Sequence, residues 1–278
     1  MARGAIRLRL ALLVMMAVLA SATVVVASGG QVAAFPTQPP PDTPAVVRNG
    51  VWYLRNCDTS GVADTTFAYG NPGDIPVVGV WNANPADPFQ SDGVGVVRNG
   101  IWYLRSSLTT GVAETTLSYG NPGDIPIVGN WTGTATGIGV VRNGVWYLRN
   151  SLTSGVADTV ISFGNAGDIP IVGNWTGNPT HQDAVGVVRN GVWYLRNTLT
   201  SGVADTTFGY GQAGDTPLTG YWPFSSTSAI PSGIGVAHRG DWYLNSGPNA
   251  GAALPAFTYG DPGDRALTGK WGNIFGLC

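Results

Sequence analysis

The chain has 278 residues, of which 44% are hydrophobic and only 11% charged, and its formal net charge is −2. With the three arginines of the N-terminal segment set aside, 10 Arg and 1 Lys face 15 Asp and 1 Glu, a balance near −5 that argues against nucleic acid, whose phosphates need a basic face. About 233 residues from Ala45 onward are enough for one sizeable core.

Arg3, Arg7 and Arg9 form a basic front, Leu10 to Ala27 is almost wholly apolar, and small residues follow, so residues 1–34 read as a signal peptide or N-terminal anchor. Cleavage of small-x-small type would end at Ala22, Ala27 or Ala34, with the later two favoured. An uncleaved anchor is the rival, because 18 apolar residues just reach membrane-helix length. Both readings put the rest of the chain outside the cytoplasm, secreted or at the cell surface. Residues 35–44, FPTQPPPDTP, form a stiff spacer whose prolines fix φ.

From Ala45 one pattern recurs five times. Its first tryptophans are Trp52, Trp102, Trp146, Trp193 and Trp242, and each is followed 22 positions later by the aspartate of a Gly-Asp pair, Asp74, Asp124, Asp168, Asp215 and Asp264. Seven positions further on come Trp81, Trp131, Trp175, Trp222 and Trp271, which accounts for all ten tryptophans. A period of 44 to 50 residues marks a repeat architecture.

Each unit reads as four short strands from its β-branched and alternating residues. Strand A is the IPVVGVW type (Ile75 to Trp81), B the VGVVRNG type (Val94 to Gly100), C the IWYLR type (Ile101 to Arg105) and D the TTLSYG type (Thr115 to Gly120). Asn99-Gly100 tolerates positive φ at both positions, so B must turn directly into C. Four antiparallel strands per unit, with both faces of B and C apolar, predict an all-β fold, a five-bladed β-propeller spanning residues 45–278.

The chain begins with B, C and D of a unit and ends with a lone A, Arg265 to Trp271, so closure should pair the C-terminal strand with the N-terminal blade. Cys57 and Cys278, the only cysteines, both fall in that split blade. An exported chain with two cysteines pairs them by default, and a bond here would staple the ring, contributing about 4 to 5 kcal/mol in the chain-entropy model. Length varies only in the A-to-B connections, NANPADPFQSD, TGTATG, TGNPTHQDA and PFSSTSAIPSG, which places the variable loops on one rim, where repeat proteins often bind.

The unit GDIPIVGNW, GIGVVRNGVWYLRN, TTLSYG resembles the FG-GAP/VCBS-like repeats of extracellular propellers, including the N-terminal integrin α type. That resemblance covers Ala45 to about Gly272 and implies a calcium site, D-x-D-x-D-G, in the A-to-B loop. Here those loops begin VWNANPAD, NWTGTATG, NWTGNPTH and YWPFSSTS, with only Asp87, Asp92 and Asp183 scattered among them. No cofactor is therefore expected, and Asp87 and Asp92 are the best remaining calcium candidates. In size the ring is also similar to tachylectin-type lectin propellers, a likeness of architecture alone.

Units one to four carry Arg55, Arg105, Arg149 and Arg196 at the end of C and an acid nine positions later, Asp64, Glu114, Asp158 and Asp205; unit five has Asn245 and Leu254. Their joint loss predicts a structural ion pair across the C–D connection, with a ligand role for the arginines as the alternative. The Gly-Asp aspartates persist in all five units and read as turn closers, the alternative being a ring of carboxylates around the channel. Repeated tryptophans read as inter-blade core in preference to sugar-stacking platforms. On the variable rim the candidate ligand residues are Trp81, Phe89, His181, Trp222 and Phe224.

No catalytic residues are expected: Glu114 is the only glutamate and sits in a repeated position, His181 and His238 stand in different units, and no nucleophile elbow, zinc helix or phosphate loop is present. Two Asn-Trp-Thr sequons fall at Asn130 and Asn174. Together these features predict a non-catalytic binding or adhesion module, secreted or surface-tethered, for an extracellular glycan or cell-surface protein. A purely structural surface component and, further off, a propeller glycoside hydrolase are the alternatives.

Overall fold

A computed structural model describes residues 41–83, 90–222 and 231–271. Twenty strands occur among the described residues. The innermost class, A, comprises β4 (Ile75–Gly79), β8 (Ile125–Gly129), β12 (Ile169–Gly173), β16 (Thr216–Gly220) and β20 (Arg265–Gly269). Class B comprises β1 (Thr43–Arg48), β5 (Gly93–Arg98), β9 (Gly137–Arg142), β13 (Ala184–Arg189) and β17 (Gly233–His238). Class C is β2 (Val51–Leu54), β6 (Ile101–Arg105), β10 (Val145–Arg149), β14 (Val192–Arg196) and β18 (Asp241–Asn245), and class D is β3 (Thr65–Ala68), β7 (Thr115–Ser118), β11 (Thr159–Ser162), β15 (Thr206–Gly209) and β19 (Phe257–Thr258).

They form five four-stranded antiparallel sheets in the order A-B-C-D. The A strands touch in the cycle β4, β8, β12, β16, β20 and back to β4, which makes a closed ring, a five-bladed β-propeller. Blade one is β20-β1-β2-β3, joined from both ends of the chain with Thr43 opposite Gly269 and Val47 opposite Arg265. Radial repetition leaves each blade only short edges, A on the inside of the ring and D on the outside.

The residues explain the strands. On C strands burial alternates, so Trp102 and Leu104 are wholly buried while Tyr103 is only half-buried; B strands are buried on both faces because neighbouring blades cover them. Asn99 and Gly100 adopt φ of 50° and 78°, the two left-handed residues the B–C turn needs, and a Cβ on Gly100 would lie 2.6 Å from the Gly120 carbonyl oxygen. Unit five has Arg239 at φ 53° in the Asn place, a position where a long side chain is uncommon.

The two tryptophan classes have distinct tasks. Trp102 donates from Nε1 to the Tyr119 carbonyl at 2.9 Å, tying C to the end of D, and the other four first tryptophans do the same. Trp81 donates to the Val94 carbonyl at 2.9 Å and lies across two glycines: a Cβ on Gly79 or Gly93 would meet its ring at 2.9 or 2.5 Å. The G-x-W spacing thus records a flat ring laid on bare backbone.

Candidate functional site

Antiparallel order sends the A–B and C–D connections to one face of the ring, the loop face, and the B–C hairpins and D–A turns to the other. The turn face is built from ion pairs. Asp74 accepts from Arg98 Nε at 2.6 Å and Nη2 at 2.7 Å, and its Oδ2 also accepts the Asn71 N–H at 2.8 Å. The same fork joins Asp124 to Arg142, Asp168 to Arg189 and, across the ring closure, Asp264 to Arg48; Asp215 meets His238 Nδ1 at 2.7 Å instead. Each guanidinium also lies 5.2 to 5.5 Å over a tyrosine ring, from Arg98 on Tyr103 to Arg48 on Tyr53. Burial works against charge on Asp74, but the fork and the Asn71 N–H hold its carboxyl below the ordinary value. Turn closure is therefore present, with a basic partner that the fixed repeat spacing did not reveal. The carboxylates serve their own blades and do not share a central ring.

The C–D loops are braced rather than simply ion-paired. Arg105 donates to the Thr109 carbonyl, the Val112 carbonyl and Thr109 Oγ1, each at 2.9 Å, whereas its distance to Glu114 is 3.6 Å. Glu114 accepts the Ser106 N–H at 2.9 Å. The expected pairs are loose, at 3.4 Å for Arg55–Asp64 and 3.9 Å for Arg196–Asp205, and the guanidinium's main partners are loop carbonyls. In unit five Asn245 is buried and makes a smaller version of the brace, to the Asn249 and Gly251 carbonyls.

On the loop face, the residue before strand B clasps the residue after strand A of the preceding blade through two bonds. Asp92 donates its N–H to the Lys270 carbonyl at 2.8 Å, and Lys270 N–H returns to Asp92 Oδ2 at 2.9 Å. Asp42 clasps Tyr221, Asp183 clasps Asn130 and Ser232 clasps Asn174 in the same way. These clasps draw Asp42, Asp92 and Asp183 into the field of Lys270, whose Nζ lies 5.9 Å from the Tyr221 ring centre. Burial works against the Lys270 ammonium, but Asp42, Asp92, Tyr221 and Asp183 together hold its pKa above the ordinary value. Burial pushes Asp92 and Asp183 up to about 6, and Asp58 up to about 7.

These shifts set a pH dependence. Asp92 and Asp183 contribute most when protonated, fully below 3.8 and progressively less as pH rises through about 6. Asp74, Asp124, Asp168 and Asp264, held below 3.8, contribute above that value and lose their contribution as pH falls through their folded pKa. The urea midpoint is expected to be higher at about pH 4.5 than at about pH 8, and Asp183→Asn should shrink the difference. A midpoint rising steadily over that interval would contradict the assignment.

The loop face also holds the candidate pocket. Between the A–B and C–D loops of blade four lies a cavity of about 430 Å³ lined by Trp175, Thr176, Asn178, Gln182, Asp183 and Asn197, among others. The equivalent place in blade two holds about 220 Å³ beside Trp81, Asn82 and Gln90. Of the rim candidates, Trp81 and Trp222 are buried with their Nε1 groups bonded inside the blade, which leaves no open ring face for a sugar. His181 is exposed at the tip of the blade-four A–B loop with φ 55°. Phe89, Phe224 and Asp87 lie outside the described residues, and Asp92 is a clasp residue. No group of three metal-ligating side chains occurs among the described residues. Asn174 is 1% exposed and its amide bonds Asn178 on both atoms, so that sequon is sealed in the fold. Cys57 is not a free thiol, and its expected partner Cys278 lies outside the described residues. No helix among the described residues is long and apolar enough to cross a membrane.

The fold defines the class: a five-bladed β-propeller with a turn face locked by ion pairs and a variable loop face. No family model and no curated protein matches the chain. Among solved structures it is similar to BBS1N, crystallised in complex with ARL6DN, at 11% identity over 78% of this chain and 76% of that one, with a TM-score of 0.39.

Proposed function

We propose that the chain is a non-catalytic binding module that acts outside the cytoplasm and takes a carbohydrate on its loop face. The observation that carries this reading is the blade-four cavity, where amide and hydroxyl side chains line a recess built from the variable loop TGNPTHQDA. Convergent polar groups in a concave wall suit a polyhydroxylated ligand. A glycan array probed with the mature protein is expected to show binding to a restricted set of glycans. Silence at high protein density would sink the carbohydrate reading and leave a structural surface component.

The export signal, the FG-GAP-like ancestry and the staple between Cys57 and Cys278 belong to the same proposal. A non-reducing peptide map is expected to recover the two cysteines in one linked fragment; two separate alkylated peptides would remove the staple. A propeller hydrolase is the second reading, favoured by Asp42, Asp92 and Asp183 around Lys270 with raised pKa values. One oxygen of each carboxylate holds an inter-blade clasp, which supports the structural role. Recovery of bound glycan intact after long incubation is the outcome expected of a module without catalysis.

A further inference from the structure

Asparagine before proline is restricted in how it can react. The usual cyclisation, attack of the next residue's backbone nitrogen on the side-chain amide, is closed because proline has no N–H. What remains runs the other way: Nδ2 attacks the residue's own main-chain carbonyl, closes a succinimide and breaks the chain. Three Asn-Pro bonds lie among the described residues, Asn71-Pro72, Asn121-Pro122 and Asn178-Pro179. The first two belong to D–A turns that hold the side chain back. In the orientation its neighbours dictate, the Asn71 amide donates from Nδ2 to the Gly70 carbonyl at 3.3 Å and accepts from Arg98 Nη2 at 2.9 Å; Asn121 repeats this with Gly120 and Arg142. Each of their carbonyls accepts one backbone N–H, from Asp74 or Asp124, at 3.1 Å.

Asn178, in the A–B loop of blade four, is placed differently. Its carbonyl oxygen accepts two bonds at 2.8 Å, from the His181 N–H and from Nδ2 of the buried Asn174. Paired donors of this kind polarise the carbonyl and stabilise the oxyanion that attack creates. The side-chain oxygen of Asn178 is pinned as well, by the Thr180 N–H and the Thr180 hydroxyl, both at 2.9 Å. Bonds to an amide oxygen make its nitrogen easier to deprotonate, and Nδ2 itself has no hydrogen-bond partner among the described residues. The loop is also anchored to blade three: a Cβ on Gly133 would lie 2.8 Å from the Thr180 carbonyl oxygen, and Gln182 Nε2 donates to the Trp131 carbonyl at 2.7 Å. His181 takes φ 55°, a strained value for a residue with a side chain, while its N–H reaches back onto the Asn178 carbonyl. Nucleophile and carbonyl are thus part of one fixed turn, which favours the intramolecular step.

We propose that the chain cuts its own backbone between Asn178 and Pro179. Nδ2 attacks the Asn178 carbonyl carbon and gives up a proton; the bond from that carbon to the Pro179 nitrogen breaks, and the nitrogen takes the proton and leaves as a secondary amine. Water enters only afterwards, when the terminal succinimide opens to asparagine or isoasparagine. The break falls between β12 and β13, which pair over five positions from Ile169–Val188 to Gly173–Ala184, so both pieces stay in the ring. Pro179 becomes a new N-terminus beside the loop-face cavity that Asn178 lines. This single turnover does not depend on the carbohydrate reading.

The test is mass spectrometry of the purified mature chain, sampled over weeks at neutral pH and physiological temperature, with Asn178→Gln and Pro179→Ala beside wild type. Folded wild type is expected to decay by a first-order process, at a rate independent of protein concentration, into one fragment beginning at Pro179 and one ending at residue 178. After an acid quench the second fragment should be lighter by one water than a hydrolysed peptide, which a contaminating protease cannot produce. Asn178→Gln should stay whole because the longer side chain closes its ring far more slowly, and Pro179→Ala because the restored N–H diverts the side chain. Wild type held unfolded in urea should be cut at least about tenfold more slowly, since the two donors on the carbonyl exist only in the fold. A folded wild type that stays whole, either variant cut at the wild-type rate, equal cutting in urea, or a fragment found only with a hydrated end would overturn the proposal.

Discussion

Ending the chain after Asp264 is expected to abolish cooperative unfolding. The lost segment includes β20, which supplies the inner strand of blade one, pairs with β1 over five positions and contacts the inner strands of blades two and five. Leu267 and Ala266 leave two apolar clusters, and the Trp271 indole, which donates to the Thr43 carbonyl at 3.1 Å, leaves a third contact. Removing these buried groups, at about 1.5–3 kcal/mol for each large side chain, together with the strand ladder, approaches the about 5–15 kcal/mol that holds a domain folded. Circular dichroism should then show a gradual melt in place of a sigmoidal one. A truncated chain that melts sharply near the full-length midpoint would mean that blade one does not need its inner strand.

Trp102→Ala should rank among the largest single-substitution effects, a loss of about 3–5 kcal/mol in the urea unfolding free energy. The ring is 0% exposed, packs among Val77, Leu104, Leu117 and Ile138, and leaves the Tyr119 carbonyl without its donor when removed. Trp52, Trp146 and Trp193 occupy equivalent places, so the same change should cost a similar amount at each. Tyr103→Ala, on the other face of the same strand and only half-buried against the Phe67 and Tyr69 cluster of blade one, should cost less. Equal losses at 102 and 103 would contradict the burial that separates them.

Much of the ring was legible because its determinants are local. Asn99-Gly100 dictates a tight hairpin, the Trp–Leu alternation on C marks one buried face, and the phase of the repeat places the last strand in the first blade. The partners that escaped are those separated by the variable loop or by the ring. Arg98 lies 24 residues from Asp74, Arg142 only 18 from Asp124, so no constant spacing exposed the fork, although His238 replacing arginine was visible. The clasp of Asp92 on Lys270 spans 178 residues and exists only once the ring closes. Trp81 and Trp222 sit beside the variable loops in sequence, yet Gly79 and Gly93, and their equivalents Gly220 and Gly233, let each indole lie flat inside the blade.

If binding resides where the repetition breaks, affinity should depend on the blade-four cavity and not on the repeated scaffold. The most direct measurement is a titration of an array-selected glycan against wild type and a Thr176→Ala, Asn197→Ala double variant, both positions being exposed pocket residues. Loss of two hydrogen bonds predicts a dissociation constant raised at least about tenfold with an unchanged melting curve. An unchanged dissociation constant would place the ligand elsewhere and contradict the account.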